Sequence, residues 1–116
     1  MTCGSTSYAL SGTIESPNYP SYYPSRTDCT STVVALSGEV VEVTFSHFDV
    51  EYQSSCTYDY VSLYDGNTLK HKYCGTGTVP VFTTTTPGDD FKLDFHSDSS
   101  IQETGFRLSF RIIGKL

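Results

Sequence analysis

The chain has 116 residues, which is enough for one domain. A domain of this size buries only about two-thirds of the surface that its unfolded chain exposes. It carries 7 basic and 13 acidic residues, a net charge of -6, and so lacks the basic footprint that nucleic-acid binding requires. No apolar run approaches the ~18 residues that span a membrane, and the 9 tyrosines and 7 phenylalanines argue against a disordered chain. No basic and apolar leader precedes Cys3, so we expect a secreted form to be a mature or excised piece.

Apolar and polar residues alternate over much of the chain, which is the pattern of half-buried β-strands. In chain order the predicted strands are 30–36, 41–46, 58–64, 79–84, 91–96 and 106–112, of which 79–84 has the weakest pattern. No window shows a convincing amphipathic helix. Many short strands separated by turn signals predict an all-β sandwich or barrel.

A proline-rich segment, 16–24, precedes these strands and holds three prolines and three tyrosines. Proline cannot donate a hydrogen bond to a strand ladder, so this segment cannot be a central strand. We expect an extended, tyrosine-packed surface segment.

The four cysteines predict disulfides rather than a zinc site. Cys3, Cys29, Cys56 and Cys74 form no Cys-x-x-Cys pair, and no histidine lies at zinc-finger spacing from two of them. Two disulfides have three possible connectivities, of which sequential pairing closes the shortest loops. Disulfides indicate an oxidising, extracellular compartment. Four buried free thiols in a cytosolic protein are the alternative.

Catalytic patterns are poor. The sequence contains no His-Glu-x-x-His and no Gly-x-Ser-x-Gly motif, and disulfide formation would leave no free cysteine. Serine, histidine and aspartate are all present, but no motif joins them. We therefore expect a protein that is not an enzyme.

Three acidic residues form a candidate cation site. Asp59 falls on the apolar side of its predicted strand, Glu51 lies in the loop just before, and Asp98 follows strand 91–96. If these loops share one end of a sandwich, three carboxylates converge without an internal cation and would repel one another. A hard cation with oxygen ligands would resolve this repulsion, and Ca²⁺ fits best outside cells. Spacing alone leaves open three separate, solvated loop acids.

Taken together, the residues resemble a CUB domain over 3–113. No single match is specific, but their order and spacing are. The matching motifs are Cys3-Gly4, Gly12-Thr13-Ile14-Glu15-Ser16-Pro17-Asn18-Tyr19-Pro20, Tyr23-Pro24, Asp28-Cys29, 45–48, Cys56-Thr57-Tyr58-Asp59-Tyr60-Val61, Tyr64-Asp65-Gly66, Tyr73-Cys74-Gly75, 95–100 and Gly105-Phe106. The resemblance implies a jelly-roll-like β-sandwich of two antiparallel sheets with disulfides Cys3–Cys29 and Cys56–Cys74. It also predicts one domain over 3–113, with 1–2 and 114–116 as terminal additions.

The resemblance extends to the calcium-binding subset of CUB domains. By position it implies Glu51, Asp59 and Asp98 as metal ligands, with Ser100 and Ile101 contributing main-chain oxygens. Many members have asparagine where this chain has Ile101, which removes one possible side-chain oxygen.

The same resemblance implies residues around this ligand set. Tyr23 would support the glutamate through its hydroxyl. His47 and His96 are expected to be ordinary surface residues, with a position lining the site as the alternative.

The resemblance also implies a function. CUB domains are extracellular modules that are not enzymes, and they bind proteins. Calcium would fix the acidic loops, which then capture a Lys or Arg of a secreted or matrix partner, with Tyr23, Glu51, Asp59, Asp98 and Ser100 forming the contact. Two alternatives remain: a glycan-binding module, which the many tyrosines favour and the lack of tryptophan disfavours, and a structural accessory domain of a secreted protease. Neither nucleic acid nor membrane insertion is expected.

Overall fold

The structure, a computed structural model, describes residues 1–114. This part of the chain consists of strands and connecting loops, and it contains no helix that could cross a membrane. The strands are β1 (Thr6–Ser7), β2 (Ser11–Glu15), β3 (Asp28–Val33), β4 (Glu39–Val50), β5 (Tyr60–Asp65), β6 (Thr68–Tyr73), β7 (Gly75–Thr76), β8 (Phe82–Thr83), β9 (Phe91–His96) and β10 (Gly105–Gly114).

The strands form two sheets, as the predicted β-sandwich requires. One sheet has the order β1-β3-β9-β5-β6, and the other has the order β2-β10-β4-β7, with β8 also paired to β4. All pairs of named strands are antiparallel except β1 and β3, which run parallel with Thr6 opposite Thr32. The prediction of two antiparallel sheets is therefore confirmed apart from this two-residue pair.

A single core lies between the two sheets because alternate side chains of each sheet point inward. The first sheet contributes Val61, Leu63, Phe91, Leu93 and Phe95, and the second contributes Val41, Val43, Phe106, Leu108 and Phe110. Each of these is buried. Full burial of such a side chain stabilises the fold by about 1.5–3 kcal/mol, so this alternation is the main source of stability.

The strongly alternating segments match the observed strands best. Segment 91–96 coincides with β9, and 41–46 and 106–112 lie inside β4 and β10. Segment 30–36 is shifted, because β3 begins at Asp28 and ends at Val33. Beyond Val33 the N–H groups of Ala35 and Leu36 donate to the carboxylates of Asp90 (3.0 Å) and Glu39 (2.8 Å) instead of to a neighbouring strand. Segment 58–64 begins at Tyr60, and 79–84 shrinks to Phe82–Thr83.

Both disulfides pair sequentially, as the family resemblance implied. Cys3–Cys29 joins the N-terminal segment to β3 with an S–S distance of 2.04 Å. Cys56–Cys74 joins the loop after β4 to the residue after β6 with an S–S distance of 2.08 Å. The residues described contain no free cysteine.

The N-terminal residues, assigned by sequence to a terminal addition, are paired with β2. The Met1 amino group donates to the Thr13 carbonyl at 2.6 Å, and Thr2 forms a parallel bridge to Glu15. At the other end Gly114 is the last residue of β10, and the predicted tail at 115–116 lies outside the described residues. The domain boundaries 3–113 stay a prediction.

Candidate metal centre

Loops from both sheets meet at one end of the sandwich. In the first sheet, His96 at the end of β9 pairs with Asp28 at the start of β3 and with Tyr60 at the start of β5. In the second sheet, Gly105 at the start of β10 lies opposite Asp49, close to the end of β4. The residues just outside these positions therefore share one end of the molecule.

Three carboxylates converge there. Glu51 follows β4, Asp59 precedes β5 and Asp98 follows β9, and each offers an oxygen within 4.8 Å of the other two. Glu51 is 8% exposed and Asp59 is 1% exposed, whereas Asp98 is half-buried. The structure thus brings together the three acids that the sequence singled out, at the rim of the core rather than in solvent.

Tyr23 joins two of these acids to the core. Its hydroxyl donates to Asp59 Oδ2 at 2.6 Å and accepts from the Glu51 N–H at 3.1 Å. The hydroxyl therefore reaches Glu51 through the main chain, and its carboxylate partner is Asp59. Its ring is 1% exposed and packs edge-on against Phe95, with ring centroids 4.9 Å apart. The proline-rich segment is not wholly a surface segment, because Tyr23 and Ser16 are buried.

Asp59 is the best-satisfied of the three acids. Its second oxygen, Oδ1, accepts from the Asp98 N–H at 2.7 Å, which fixes the loop after β9 against the start of β5. Asp98 in turn accepts from the Ser100 N–H at 3.2 Å. By contrast, Glu51 Oε1 is buried with no hydrogen-bond partner among the residues described. A buried, unpaired carboxylate oxygen is costly unless a ligand satisfies it.

Burial and the charges of neighbouring acids favour the protonated forms of Glu51 and Asp59 when no cation is present. The pKa of Glu51 is raised by burial and then by the charges of Asp59, Asp98 and Glu103. The pKa of Asp59 is also raised by burial, although hydrogen bonds from Tyr23 and Asp98 oppose the rise. Burial and the bond to Asp59 raise the pKa of the Tyr23 phenol, so this group stays a donor. The site is therefore short of positive charge.

Glu103 is a further acid at this end that the sequence reasoning missed. Its carbonyl accepts from the Tyr23 N–H at 2.9 Å, which sets it beside the tyrosine. Burial, followed by the charges of Asp49 and Asp59, raises the pKa of the half-buried Glu103 carboxyl. Glu103 lies in a loop without periodicity, and the resemblance marks no acid at this position, so no signal in the sequence identified it.

The other predicted site residues are more exposed than Glu51 and Asp59 or contact residues other than the three acids. Ser100 and Ile101 are exposed, and Ile101 has a left-handed backbone with a φ of 58°. His47 contacts the Thr104 hydroxyl at 2.7 Å and the Tyr19 ring, and His96 contacts Asp28 at 2.6 Å and stacks on Tyr60. The contacts that position both histidines therefore involve none of the three acids.

The donor set fits a hard cation. Carboxylate and main-chain oxygens are the ligands that Ca²⁺ prefers, and no cysteine or histidine belongs to the cluster. A positive ion at this point would satisfy the unpaired Glu51 Oε1 and reduce the repulsion among the three carboxylates. The arrangement can hold a divalent cation, with the half-buried Asp98 as the most exposed of the three ligands.

Known proteins share this architecture. The CUB domain family profile matches residues 3–110. Over 115 residues the chain is 36% identical to cubilin of Rattus norvegicus, which covers 97% of this chain and 3% of cubilin. A chain in the full extracellular region of zebrafish Gpr126/Adgrg6 superposes with a TM-score of 0.89 and 30% identity, covering 98% of this chain and 15% of that one. The MASP-1 CUB2 domain bound to Ca²⁺ superposes with a TM-score of 0.84 and 31% identity, covering 94% of this chain and 98% of that one.

These matches cover nearly all of this chain, and the structural ones share its fold. They define a disulfide-linked β-sandwich module of the kind found within longer proteins. The chain belongs to the CUB domain family. It spans only a small part of the cubilin and Gpr126 chains that it matches.

Proposed function

We propose that this CUB domain is a calcium-dependent, non-catalytic protein-binding module that captures a basic side chain of its partner. The observation that carries the proposal is the convergence of Glu51, Asp59 and Asp98, together with the buried, unpaired Glu51 Oε1. The similar MASP-1 CUB2 domain, solved with Ca²⁺, supports calcium as the ion.

Glu51, Asp59 and Asp98 would hold the ion through their carboxylates, and Ser100 and Ile101 would add main-chain oxygens. A bound Ca²⁺ would supply two positive charges and fixed coordination directions, which would immobilise the loops after β4 and β9. Tyr23 and the Asp98 N–H already orient Asp59, so the chain itself pre-arranges that ligand. The side-chain oxygen lost at Ile101 leaves the main chain as the donor there.

The partner contact follows from charge. Three carboxylates less the two charges of Ca²⁺ leave one negative charge, which a Lys ammonium or an Arg guanidinium of the partner would balance. Such a bond is charge-assisted and so stronger than a neutral hydrogen bond. Tyr23, Glu51, Asp59, Asp98 and Ser100 would form this contact together.

Two observations support an extracellular location for the module. Both disulfides link distant parts of a small domain, and such bonds are typical of proteins in oxidising compartments. The similar zebrafish chain is described as an extracellular region. The partner is accordingly proposed to be a secreted or matrix protein.

Nothing in the structure favours glycan binding to the same degree. A groove of about 350 Å³ on the outer face of the first sheet contains Tyr60 and Tyr64. However, the Tyr60 ring already contacts the Lys72 ammonium at 4.0 Å and stacks on His96. A sugar would have to displace these contacts before it could stack on Tyr60.

The proposal can be tested by nuclear magnetic resonance, which detects weak binding. The ¹⁵N-labelled domain would be titrated with N-acetyl-lysine-methylamide in about 2 mM CaCl₂ and then in chelator. We expect shifts of the Tyr23, Glu51 and Asp98 amide signals in calcium, because these N–H groups donate within the site, and no binding in chelator.

Asp59→Ala should lose the response. Glu42→Gln is the control, because it removes a charge near the start of β4, and it should keep the response. Shifts that persist in chelator, or that cluster at the opposite end of the sandwich, would contradict the proposal.

A further inference from the structure

The loop between two of the candidate calcium ligands has no strand pairing of its own. Residues 52–58 connect Glu51, which follows β4, to Asp59, which precedes β5, and none of them belongs to a strand. If such a loop became ordered only when an ion binds, the conformational entropy lost would weaken binding. The contacts that fix loop 52–58 therefore bear directly on the affinity of the metal centre.

A single side-chain oxygen closes this loop. Gln53 Oε1 accepts three hydrogen bonds, from the Ser55 N–H at 3.0 Å, the Thr57 N–H at 3.0 Å and the Thr57 hydroxyl at 2.9 Å. Main-chain N–H groups only donate, so the Gln53 atom that faces them is the amide oxygen and not the nitrogen. The Gln53 carbonyl also accepts from the Cys56 N–H at 2.9 Å, which closes a turn. Gln53 thus bonds to each of residues 55–57.

The closed loop is anchored at its tip and at its base. At the tip, the Cys56–Cys74 disulfide joins it to the residue after β6. At the base, the Tyr23 hydroxyl bonds to the Glu51 N–H and to Asp59 Oδ2. Gln53 supplies the bonds across the middle, so contacts of the chain itself fix the path from one ligand to the other.

We propose that Gln53 is a positioning residue of the candidate metal centre, which sets the spacing of Glu51 and Asp59 by closing loop 52–58. This inference rests on the proposed function and adds to it the residue that pre-organises two of the three carboxylate ligands. Gln53 acts through the loop and not as a ligand, because its Oε1 already accepts three hydrogen bonds.

The size of the expected effect follows from the way Gln53 acts. Residues that orient metal ligands from outside the coordination shell typically change metal affinity by about 10- to 100-fold. Gln53 is half-buried, and it reaches the ligands only through the main chain. We therefore expect its loss to weaken calcium binding by about tenfold, at the lower end of that range.

Calcium titrations of the ¹⁵N-labelled domain and three variants provide the test. Gln53→Leu removes the acceptor at similar size and should show the tenfold loss. Gln53→Glu keeps an oxygen that can accept the same three bonds, so it should bind calcium at least as tightly as the wild-type domain.

Thr84→Val is the matched control for stability. The Thr84 hydroxyl accepts from the Val41 N–H at 2.8 Å near the start of β4, whereas Glu51 follows the end of that strand. Its loss should destabilise the fold and leave the calcium affinity unchanged.

Hydrogen exchange in chelator gives a second readout, which is specific to the loop. We expect the Ser55 and Thr57 amides to exchange slowly in the wild-type domain and in Gln53→Glu, and quickly in Gln53→Leu, because Gln53 Oε1 is their acceptor. Core amides of β9 should exchange alike in all three proteins.

The outcomes separate this inference from the proposed function. If the wild-type domain binds calcium and Gln53→Leu binds it equally tightly, the positioning role is wrong and the proposed function stands. The positioning role is also wrong if Thr84→Val loses as much affinity as Gln53→Leu, or if the Ser55 and Thr57 amides exchange equally fast with and without Gln53. If the wild-type domain binds no calcium, both are wrong.

Discussion

Tyr23 positions two residues of the acidic end of the molecule, which is formed by Glu51, Asp59 and Asp98. One hydroxyl serves two loops, since it donates to Asp59 and accepts from the Glu51 N–H. The ring beneath it is packed against Phe95 of the core. The position of two candidate calcium ligands is therefore tied to the packing between the sheets.

Replacing Tyr23 by Phe tests this tie. The change leaves Asp59 Oδ2 and the Glu51 N–H without this partner while preserving the ring, so we expect the free energy of unfolding to fall by about 1–3 kcal/mol. The calcium-induced rise in thermal midpoint should become smaller but remain, whereas Asp59→Ala should abolish it. Differential scanning calorimetry with calcium and with chelator measures both effects. An equal loss of the calcium response in the two variants would show that the hydroxyl does more than position Asp59.

The raised pKa values of Glu51 and Asp59 predict a pH dependence with a definite sign. A carboxyl pKa that is higher in the folded protein means that the folded state binds protons more tightly. In chelator, this contribution to stability is fully present below the ordinary carboxyl pKa of roughly 4 and is lost as pH rises through the raised values.

Calcium requires the ionised carboxylates, so protons and calcium compete for the same oxygens. The calcium-induced rise in midpoint should therefore be largest at neutral pH and shrink on acidification. Thermal melts between pH 4.5 and 7.5, each with calcium and with chelator, measure the difference. A rise that is independent of pH would mean that the ion binds away from these two acids.

At the scale of the strands, the sequence predicts strand bounds best where one face of the strand is buried and the other is exposed to solvent. β9 has this pattern throughout, and its bounds were predicted residue for residue. β6 was missed because its residues are exposed or half-buried along its whole length and alternate in neither hydrophobicity nor burial. It is an edge strand held by pairing to β5, a long-range contact that leaves no local signal.

In the candidate site, too, a local pattern identifies some residues, whereas long-range contacts place others. Asp59 was identified because its carboxylate falls on the apolar side of a predicted strand, and it is indeed 1% exposed. Glu51 and Asp98 were also singled out from their loop positions, but spacing alone left separate solvated acids as an alternative for all three residues, and the family resemblance then favoured a shared cation site. Glu103 could not be identified from the sequence, because a main-chain bond from Tyr23 holds it at this end of the molecule, and Tyr23 lies 80 positions earlier in the chain.

Gly105 is the point where β10 enters the acidic end, and it allows no side chain. Its φ is +86°, and a Cβ added there would lie 1.9 Å from Ser16 Oγ and 3.3 Å from Tyr23 Cδ2. Ser16 Oγ accepts from the Phe106 N–H at 3.0 Å, so the serine cannot move without losing a buried hydrogen bond. Gly105 thus permits the close approach between β10 and the segment that carries Tyr23.

Gly105→Ala should destabilise the fold by about 2–4 kcal/mol through backbone strain and overpacking. Gly114→Ala is the matched control, because a Cβ at that position meets nothing within 4 Å. Chemical denaturation of both variants measures the difference. Equal stabilities would show that Ser16 and Tyr23 can yield to a methyl group, contrary to the tight packing seen here.

At the scale of the whole molecule, acidic residues lie at both ends of the sandwich, with Glu51, Asp59 and Asp98 at one end and Asp65, Asp89 and Asp90 at the other. The chain has a net charge of -6, and the cluster of unpaired acids lies at one end of a molecule 45 Å long. The three ion pairs lie on strands β2, β3, β4, β9 and β10. The three converging carboxylates would attract a basic side chain to their own end of the sandwich.

Binding of a lysine peptide should weaken as salt is added. The screening length is about 10 Å at 0.1 M salt and about 3 Å at 1 M, and the proposed contact is partly exposed. We expect the affinity in saturating calcium to fall several-fold between about 0.05 and 0.5 M NaCl. Titrations at four salt concentrations measure the trend. Affinity that is unaffected by salt would point to an apolar contact surface instead.

Binding of calcium by the converging acids is tested most directly by calorimetric titration of CaCl₂ into the chelator-treated domain. We expect one ion per chain with a dissociation constant of roughly 10⁻⁴ to 10⁻³ M, and a gain in stability of about 0.4–1.4 kcal/mol at millimolar calcium. Asp59→Ala should lose the binding, and Glu42→Gln should keep it. No binding by the wild-type domain up to about 10 mM calcium, with an unchanged thermal midpoint over the same range, would contradict the account.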